Sequence, residues 1–194
     1  MNRSCDSCSA RIPLTASHRA RFCSPACRQK AYRARRAAGS IPAEMRAADR
    51  WMRFRLVPRG EKLSKVPTMI NGRNASSTAA GTWTTYAEAA ASSVGAGLGF
   101  ALGDGIGCLD LDDAVAADGT LSALAHDVLS ANPDAWVELS VSGAGLHVWG
   151  LMDEAPGRVL PGIEVYSQGR FIALGTTYRA GGLHPLTVPE LATA

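Results

Sequence analysis

Two closely spaced carboxylates at the end of an apolar run are the groups of this chain best suited to chemistry. The run 106–111 predicts a short buried strand, and the alternation of an extended chain sends Asp110 and Asp112 to the same face. Carboxylates on an apolar strand repel each other and are costly to desolvate, and a divalent cation relieves both costs. Oxygen ligands of this kind favour Mg²⁺ or Mn²⁺. The alternative is a pair of surface carboxylates at a strand end, and Asp113 either adds a third oxygen or begins the next turn.

A glycine-containing turn between two predicted strands is a candidate anion site. Residues 136–141 are rich in strand-forming types, and the strand pattern resumes after a turn that contains Ser142, Gly143 and Gly145. A hydroxyl, small residues and exposed backbone N–H groups suit an anion such as phosphate. His147, just inside the second strand, is placed to donate to the same anion. The alternatives are an ordinary hairpin turn and a hydrogen-bonded histidine of the core.

Residues 162–174 predict a hairpin that carries one acid and one base. Glu164 lies on its first strand and Arg170 opens its second. Glu164 offers a further acidic group, or else belongs to a solvated strand face. Arg170 either grips a phosphate or braces the hairpin. Three successive strand units therefore each offer an acidic or anion-binding element.

These three segments, in this order, resemble the Prim-Pol domain, the bifunctional DNA primase/polymerase module of the archaeo-eukaryotic primase superfamily. The likeness rests on Asp110-x-Asp112, on the hexapeptide Ser-Gly-Ala-Gly-Leu-His that ends at His147, and on Glu164 followed shortly by Gly-Arg-Phe-Ile. Modules of this family are common in the replication proteins of bacteriophages and plasmids.

The resemblance extends upstream of the acidic strand. The Lys-Val-Pro tripeptide at 65–67, the segment 82–86 and the approach 97–100 are similar to the opening of that domain. The likeness therefore covers roughly residues 46–190.

The resemblance implies a role for each matched residue. Asp110, Asp112 and Glu164 would bind a pair of Mg²⁺ or Mn²⁺ ions about 4 Å apart, as phosphoryl transfer requires. Together with His147 they would be the catalytic residues of a nucleotidyltransferase. The residues that would contact the phosphates of an incoming nucleotide are Ser142, Gly143, Gly145, His147 and Arg170. The family also implies an RRM-like catalytic sheet with a smaller flanking α/β unit.

The amino-terminal cysteines form a separate pattern. Cys5 and Cys8, then fourteen residues, then Cys23 and Cys27 have the spacing of a four-thiolate zinc site. The segment is too short and too polar to bury a core, so a bound Zn²⁺ would supply its folding energy. Two disulfides are the alternative. No secretory signal or apolar span is evident, which favours a reducing bacterial cytoplasm and zinc.

The end of this module predicts a basic helix that begins near Ser24, with Pro25 at its first position, and it resembles the ending of small bacterial and phage zinc fingers. Residues 1–60 carry fourteen Arg or Lys against three Asp or Glu, a net +11, whereas residues 61–194 carry six against fourteen, a net −8. A basic helix attracts the DNA backbone in a salt-sensitive manner, and a solvated helix face is the alternative. The candidate DNA-binding residues are Arg28, Lys30, Arg33, Arg35 and Arg36.

The chain is predicted to contain a zinc finger at 1–38, a linker at 39–45 and a catalytic domain at 46–194, long enough for one sizeable core. Helices are predicted at 45–55, 86–92 and 121–129. Strands dominate 99–112 and 136–174, so the predicted class is α+β, an α/β sandwich. Lys65 is interpreted as a solvated loop lysine.

The main functional hypothesis is a DNA primase/polymerase that joins nucleoside triphosphates on a DNA template in phage or plasmid replication. One alternative is a metal-dependent nuclease or phosphotransferase that uses the same carboxylates. The other is a non-catalytic zinc-finger protein that binds DNA as a replication accessory. Related phage proteins often carry a helicase domain after this module, whereas this chain stops at Ala194. We therefore expect either that it depends on a separately encoded helicase or that it is a fragment. No membrane partner is expected.

Overall fold

The chain folds as two units. The computed structural model describes residues 3–5, 10–13, 15–17, 20–29, 41–60 and 62–189, and contacts separate Met1–Ile41 from Pro42–Ala194. The described part of the larger unit is α+β. Its helices are α1 (Ala43–Ala47), α2 (Tyr86–Ala91) and α3 (Ala123–Ala131). Its strands are β1 (Trp51–Arg59), β2 (Lys62–Thr68), β3 (Gly97–Ala101), β4 (Ile106–Leu111), β5 (Trp136–Leu139), β6 (Leu146–Leu151), β7 (Arg158–Leu160), β8 (Ile163–Tyr166), β9 (Phe171–Ala173) and β10 (Thr176–Arg179).

The strands form two antiparallel sheets. The four-stranded sheet has the order β2-β1-β3-β9, and the six-stranded sheet has the order β10-β5-β6-β4-β8-β7. The chain passes from the first sheet to the second between β3 and β4 and returns between β8 and β9. Helix α3 connects β4 to β5, which run in the same direction with β6 between them. No described helix is long and apolar enough to cross a membrane.

One face of the six-stranded sheet packs against α3 and forms an apolar core. Helix α3 begins where the Ser122 hydroxyl accepts a hydrogen bond from the backbone N–H of Ala125, and it buries Val128 against the sheet. Burial of a large aliphatic side chain stabilises the fold by about 1.5–3 kcal/mol. A shift of one residue in strand register would move these side chains out of the core, so their burial fixes the register. The sheet residues that contribute are Leu109, Leu111, Val137, Leu146, Val148, Ile163 and Val165.

The opposite face of this sheet meets the four-stranded sheet through fully buried aromatic rings. The ring centroids of Trp51 and Phe100 are 5.1 Å apart, those of Phe100 and Trp149 are 6.1 Å apart, and those of Trp149 and Trp136 are 5.6 Å apart. The first two pairs meet edge to face, a geometry that contributes stability beyond the burial of the rings, and the third pair is tilted by 31°. Side chains two positions apart on a strand share a face, so Glu138, two residues after Trp136, and His147, two residues before Trp149, border the aromatic layer.

The helix predicted at 45–55 is wrong from residue 48 onwards. Helix α1 ends at Ala47, and Trp51 begins β1, whose Trp51, Met52 and Phe54 side chains are buried. Pairing of β1 with both β2 and β3 overrides the local helical pattern. The helix predicted at 86–92 is confirmed as α2, which starts with a capping box between Thr85 and Glu88. The helix predicted at 121–129 is confirmed as α3, displaced by two residues.

The predicted hairpin over 162–174 is also wrong. Strand β8 pairs with β4 and β7, whereas β9 pairs with β3 of the other sheet. The residues between them, which include Arg170, therefore cross from one sheet to the other.

The smaller unit contains a short helical segment at its cysteine-rich end. Residues 25–29 are helical, and the Ser24 hydroxyl accepts a hydrogen bond of 3.2 Å from the backbone N–H of Cys27. This confirms the predicted start of the helix, with Pro25 at its first position. Near the amino terminus, Ser4 and Arg11 form an antiparallel bridge, and the Cys5 N–H donates to the Ala10 carbonyl at 2.8 Å.

Candidate active site and metal-binding cysteines

The register of the six-stranded sheet brings four polar residues into one row across four strands. Asp110 on β4 lies opposite His147 on β6 and, on its other side, opposite Glu164 on β8. His147 in turn lies opposite Glu138 on β5. Directly opposed residues on antiparallel strands point to the same face, so the row is a continuous polar strip at the border of the aromatic layer.

Glu164 is held by two neighbours that follow it in sequence. Its Oε2 accepts a hydrogen bond of 2.7 Å from the Tyr166 hydroxyl and lies 3.5 Å from a guanidinium nitrogen of Arg170. The Arg170 guanidinium also stacks on the Tyr166 ring, 4.6 Å from its centroid. Arg170 therefore offsets part of the Glu164 charge while about half of its own side chain stays exposed.

The other acids lie where β4 ends. Asp112 and Asp113 are exposed in the turn after the strand, and Asp113 adopts a left-handed conformation with φ 47°. Among the described residues, the only group of three or more acidic, histidine or cysteine side chains whose ligand atoms lie within 4.8 Å of one another consists of cysteines. The carboxylates of Asp110, Asp112 and Glu164 thus share a region of the sheet but are not drawn together to ligand spacing.

Electrostatics nevertheless couples these acids. Burial raises the pKa of the Asp110 carboxyl group; His147 and Lys65 act to lower that pKa, whereas the charges of Asp112 and Glu164 raise it further. A carboxylate that is partly desolvated beside two others is poorly stabilised in its ionised form. A bound cation would remove that penalty, so the donor set suits a hard divalent ion.

His147 is buried between two carboxylates. Its side chain is 3% exposed, with Nε2 lying 3.6 Å from Asp110 Oδ1 and Nδ1 lying 3.6 Å from Glu138 Oε2. Both separations are longer than a hydrogen bond, and Nδ1 has no hydrogen-bond partner. The ring is thus held with one nitrogen towards Asp110 and the other towards Glu138.

Glu138 is the member of the row that sequence reasoning missed. Its side chain is 2% exposed, and its Oε2 accepts a hydrogen bond of 2.9 Å from the Trp149 indole N–H. Burial raises the pKa of the Glu138 carboxyl group, whereas the nearby His147 ring and the N–H groups of Trp149 and Gly175 act to lower that pKa. One signal was present in the sequence: an acid at an inward position of the otherwise apolar run Trp-Val-Glu-Leu.

The turn predicted to bind an anion lies at the same end of the sheet as Asp112, because Leu111 pairs with Leu146. The backbone N–H groups of this turn are occupied within it: that of Gly143 donates to the Ser140 carbonyl, that of Ala144 to the Ser142 hydroxyl, and that of Gly145 to the Ser140 hydroxyl. The Ser140 and Ser142 hydroxyl oxygens lie 2.9 Å apart. An anion would therefore meet hydroxyl groups first and would gain N–H donors only by displacing these bonds.

A cleft of about 610 Å³ opens beside Asp110 and His147 and extends to the four-stranded sheet. Three exposed cationic side chains line it, from β1, β2 and the segment between β8 and β9: Arg59, Lys65 and Arg170. The interpretation of Lys65 as a loop residue is wrong, since it lies within β2, opposite Leu56 of β1. The cleft thus combines the Asp110 carboxylate with three cations, a combination suited to a polyanion bound with the help of a metal ion.

Three of the four predicted zinc ligands come together in the smaller unit. The Sγ atoms of Cys5, Cys23 and Cys27 all lie within 4.8 Å of one another, and those of Cys23 and Cys27 are 3.5 Å apart. That distance is too long for a disulfide bond of about 2.05 Å and close to the ~3.8 Å edge of a tetrahedral site with Zn–S bonds of ~2.3 Å. Cys8 lies outside the described residues.

Of the candidate DNA-binding residues, only Arg28 lies within the described part of the chain. It is exposed on the helical segment 25–29. The other four, Lys30, Arg33, Arg35 and Arg36, lie outside the described residues.

Comparison with known proteins identifies no relative, because no family model and no curated protein matches the chain. An assignment of function therefore rests on the geometry of the polar row, its cleft and the cysteine group.

Proposed function

We propose that the protein is a metal-dependent nucleotidyltransferase of the Prim-Pol type, which joins nucleoside triphosphates on a DNA template. The observation that carries the proposal is the register of β4, which sets Asp110 between His147 and Glu164 beside a cleft with a basic wall. Three segments that are far apart in the sequence thus contribute to one polar surface. Phosphoryl transfer needs this combination of carboxylates for cations and of cationic groups for phosphates.

The order of the central strands supports an RRM-like catalytic sheet. Strands β5, β6, β4 and β8 are adjacent in that order, and α3 crosses from β4 to β5 over β6. A helix that links two non-adjacent strands of an antiparallel sheet is the first half of the split βαβ arrangement. Here β7 and its flanking loops, rather than a second helix, link β6 to β8. The four-stranded sheet would be the flanking unit.

Asp110, Asp112 and Glu164 are the proposed ligands of Mg²⁺ or Mn²⁺. When bound, such ions stabilise the charge that develops on the attacking and leaving oxygens of the transfer. Asp110 presents its carboxylate from a rigid strand, whereas Asp112 lies in an exposed turn beyond its end. Glu164 would exchange its ion pair with Arg170 for a cation, which releases the exposed guanidinium towards the cleft.

His147 and the cationic wall are proposed to bind the triphosphate. His147 faces the cleft beside Asp110, and Lys65 and Arg170 line the same cleft. Ser142 would add a hydroxyl donor at the end of the sheet, and Gly143 and Gly145 would add N–H donors by exchanging their bonds within the turn for bonds to the triphosphate. These groups orient the phosphates and carry no part of the bond-making themselves.

The smaller unit is proposed to be a zinc finger that recruits DNA. Cys5, Cys23 and Cys27, completed by Cys8, would hold a structural Zn²⁺. The basic residues from Arg28 onwards would contact the DNA backbone.

Nucleotide incorporation on primed and unprimed single-stranded DNA, in Mg²⁺ or Mn²⁺, tests the proposal. The wild-type protein is expected to extend chains, and Asp110→Asn is expected to abolish extension while the fold, followed by circular dichroism, is retained. The exposed Asp127→Asn on α3 serves as a matched control and should extend as the wild type does. Degradation of the primer without extension would instead identify a nuclease, and full activity of Asp110→Asn would refute the proposed metal site.

A further inference from the structure

Glu138 is a buried carboxylate that the proposed reaction does not use. It lies at the inner end of the polar row, with 2% of its side chain exposed, and it is too deep for a substrate in the cleft to reach. Burying an ionised group is costly unless nearby donors compensate it. Two side chains face it: Trp149, whose indole N–H donates to its Oε2 at 2.9 Å, and His147, whose Nδ1 lies 3.6 Å from the same oxygen.

The contact with Trp149 alone does not account for an acid at this place. A neutral acceptor would satisfy an indole N–H without the cost of a buried charge. His147 Nδ1, in contrast, has no hydrogen-bond partner, and Glu138 Oε2 is the acceptor that faces it. A shift of a few tenths of an ångström would bring this pair into hydrogen-bond range.

We propose that Glu138 is a positioning residue that accepts a hydrogen bond from His147 Nδ1, so that the ring, with a proton on both nitrogens beside a bound triphosphate, donates from Nε2 into the cleft. Because Trp149 anchors the carboxylate, the acceptor is fixed before a nucleotide arrives. The imidazole then cannot rotate to present its other nitrogen. This inference rests on the proposed function, since the contact that it positions is the one between His147 and the triphosphate.

A double-mutant cycle of Glu138→Leu and His147→Ala tests it, with Glu138→Gln as a separate variant outside the cycle. Glu138→Leu is expected to lower kcat/KM for nucleotide about 10- to 100-fold, as loss of an orienting partner does elsewhere. Glu138→Gln keeps an acceptor for both neighbours but loses the charge that strengthens the bond to His147, so its kcat/KM should lie between those of the wild type and Glu138→Leu. In the His147→Ala background, Glu138→Leu should have almost no further effect, because the positioned group is gone.

A second readout does not depend on activity. In the ¹⁵N spectrum of the nucleotide-free protein, His147 Nδ1 is expected to carry a proton in the wild type and in Glu138→Gln, and to lose that preference in Glu138→Leu. The exposed Glu44→Leu on α1 is the control for the substitution itself and should match the wild type in both measurements.

Two results would overturn the inference. One is a loss of activity in Glu138→Leu that is as large with His147→Ala as without it, which would identify a purely structural role through Trp149. The other is an unchanged His147 Nδ1 signal in Glu138→Leu. If the wild-type protein incorporates no nucleotide, the proposed function fails instead, and the spectrum still decides whether Glu138 orients the ring.

Discussion

Replacement of Asp110 by asparagine is expected to stabilise the cation-free protein while it removes the response to divalent ions. The Asp110 side chain is 22% exposed, and burial raises the pKa of its carboxyl group. The ionised form is therefore less favourable in the folded chain than in the unfolded chain. Asparagine keeps the shape of the side chain without the charge.

Burial of the Asp110 carboxylate is the main cause of this cost, and the charges of Asp112 and Glu164 add to it. Directly opposed strand residues have Cβ atoms about 5 Å apart, so carboxylates about 6 Å apart repel by about 3 kcal/mol at an effective dielectric constant of ~20. Arg170 lies 3.5 Å from Glu164, and His147 lies 3.6 Å from Asp110, and both offset this repulsion. We therefore expect Asp110→Asn to raise the free energy of unfolding at pH 7 by about 1 kcal/mol.

The effect has a defined dependence on pH. Since the folded pKa of Asp110 lies above the unfolded value of about 3.9, the cost of its charge is present at neutral pH and is relieved as the pH falls through the folded pKa. The advantage of the variant should therefore shrink in acid.

Urea unfolding in chelator and in Mn²⁺ measures both parts of the prediction. At a cation concentration ten times the dissociation constant, the wild type should gain about 1.4 kcal/mol, whereas Asp110→Asn should gain little. Asp127→Asn, at a side chain 71% exposed, should behave as the wild type throughout. The reasoning is refuted by a variant that is less stable than the wild type in chelator, or by one that Mn²⁺ stabilises to the wild-type extent.

Lys65→Ala removes a cation from the cleft and should raise the KM for nucleotide about tenfold in steady-state kinetics. Lys62 is exposed on the same strand, so Lys62→Ala should leave the KM unchanged, and equal effects of the two substitutions would contradict this role of Lys65. Gly145→Ala would place a Cβ 2.7 Å from the Leu111 carbonyl oxygen, so urea unfolding should show a loss of about 1–3 kcal/mol, and an unchanged midpoint would contradict the packing. Metal analysis should find one zinc per chain, lost in Cys23→Ser; a metal-free wild type would exclude the zinc finger.

Local patterns predicted several elements because their causes lie within a few residues. The capping box of Thr85 and Glu88 and the Ser24-Pro25 start of the finger helix depend on hydrogen bonds that span three residues. The strand before Asp110 follows from an apolar run bounded by glycine and carboxylates. The predicted element boundaries were wrong where strand pairing decided the structure. The local pattern assigned Trp51 to a helix, but its strand pairs with two neighbouring strands and so lies in a sheet.

The candidate site shows the same division. Residue type alone indicated Asp110, His147 and Glu164, but not that β4 lies between the strands that carry the other two. No role in the site could be predicted for Glu138 or Lys65, because the role of each depends on side chains that other strands bring close to it.

The amino-acid sequence by itself determined which side chains carry charge, which segments are extended, and the cysteine spacing of the amino-terminal unit. Tertiary structure alone decided that Asp110 and Glu164 are neighbours, that the chain crosses between sheets at Arg170, and that a glutamate is buried against His147. The physical reason is that strand register is selected by the burial of whole apolar faces against α3 and the aromatic layer. Those faces are assembled from strands far apart in the chain, so no local pattern contains the information.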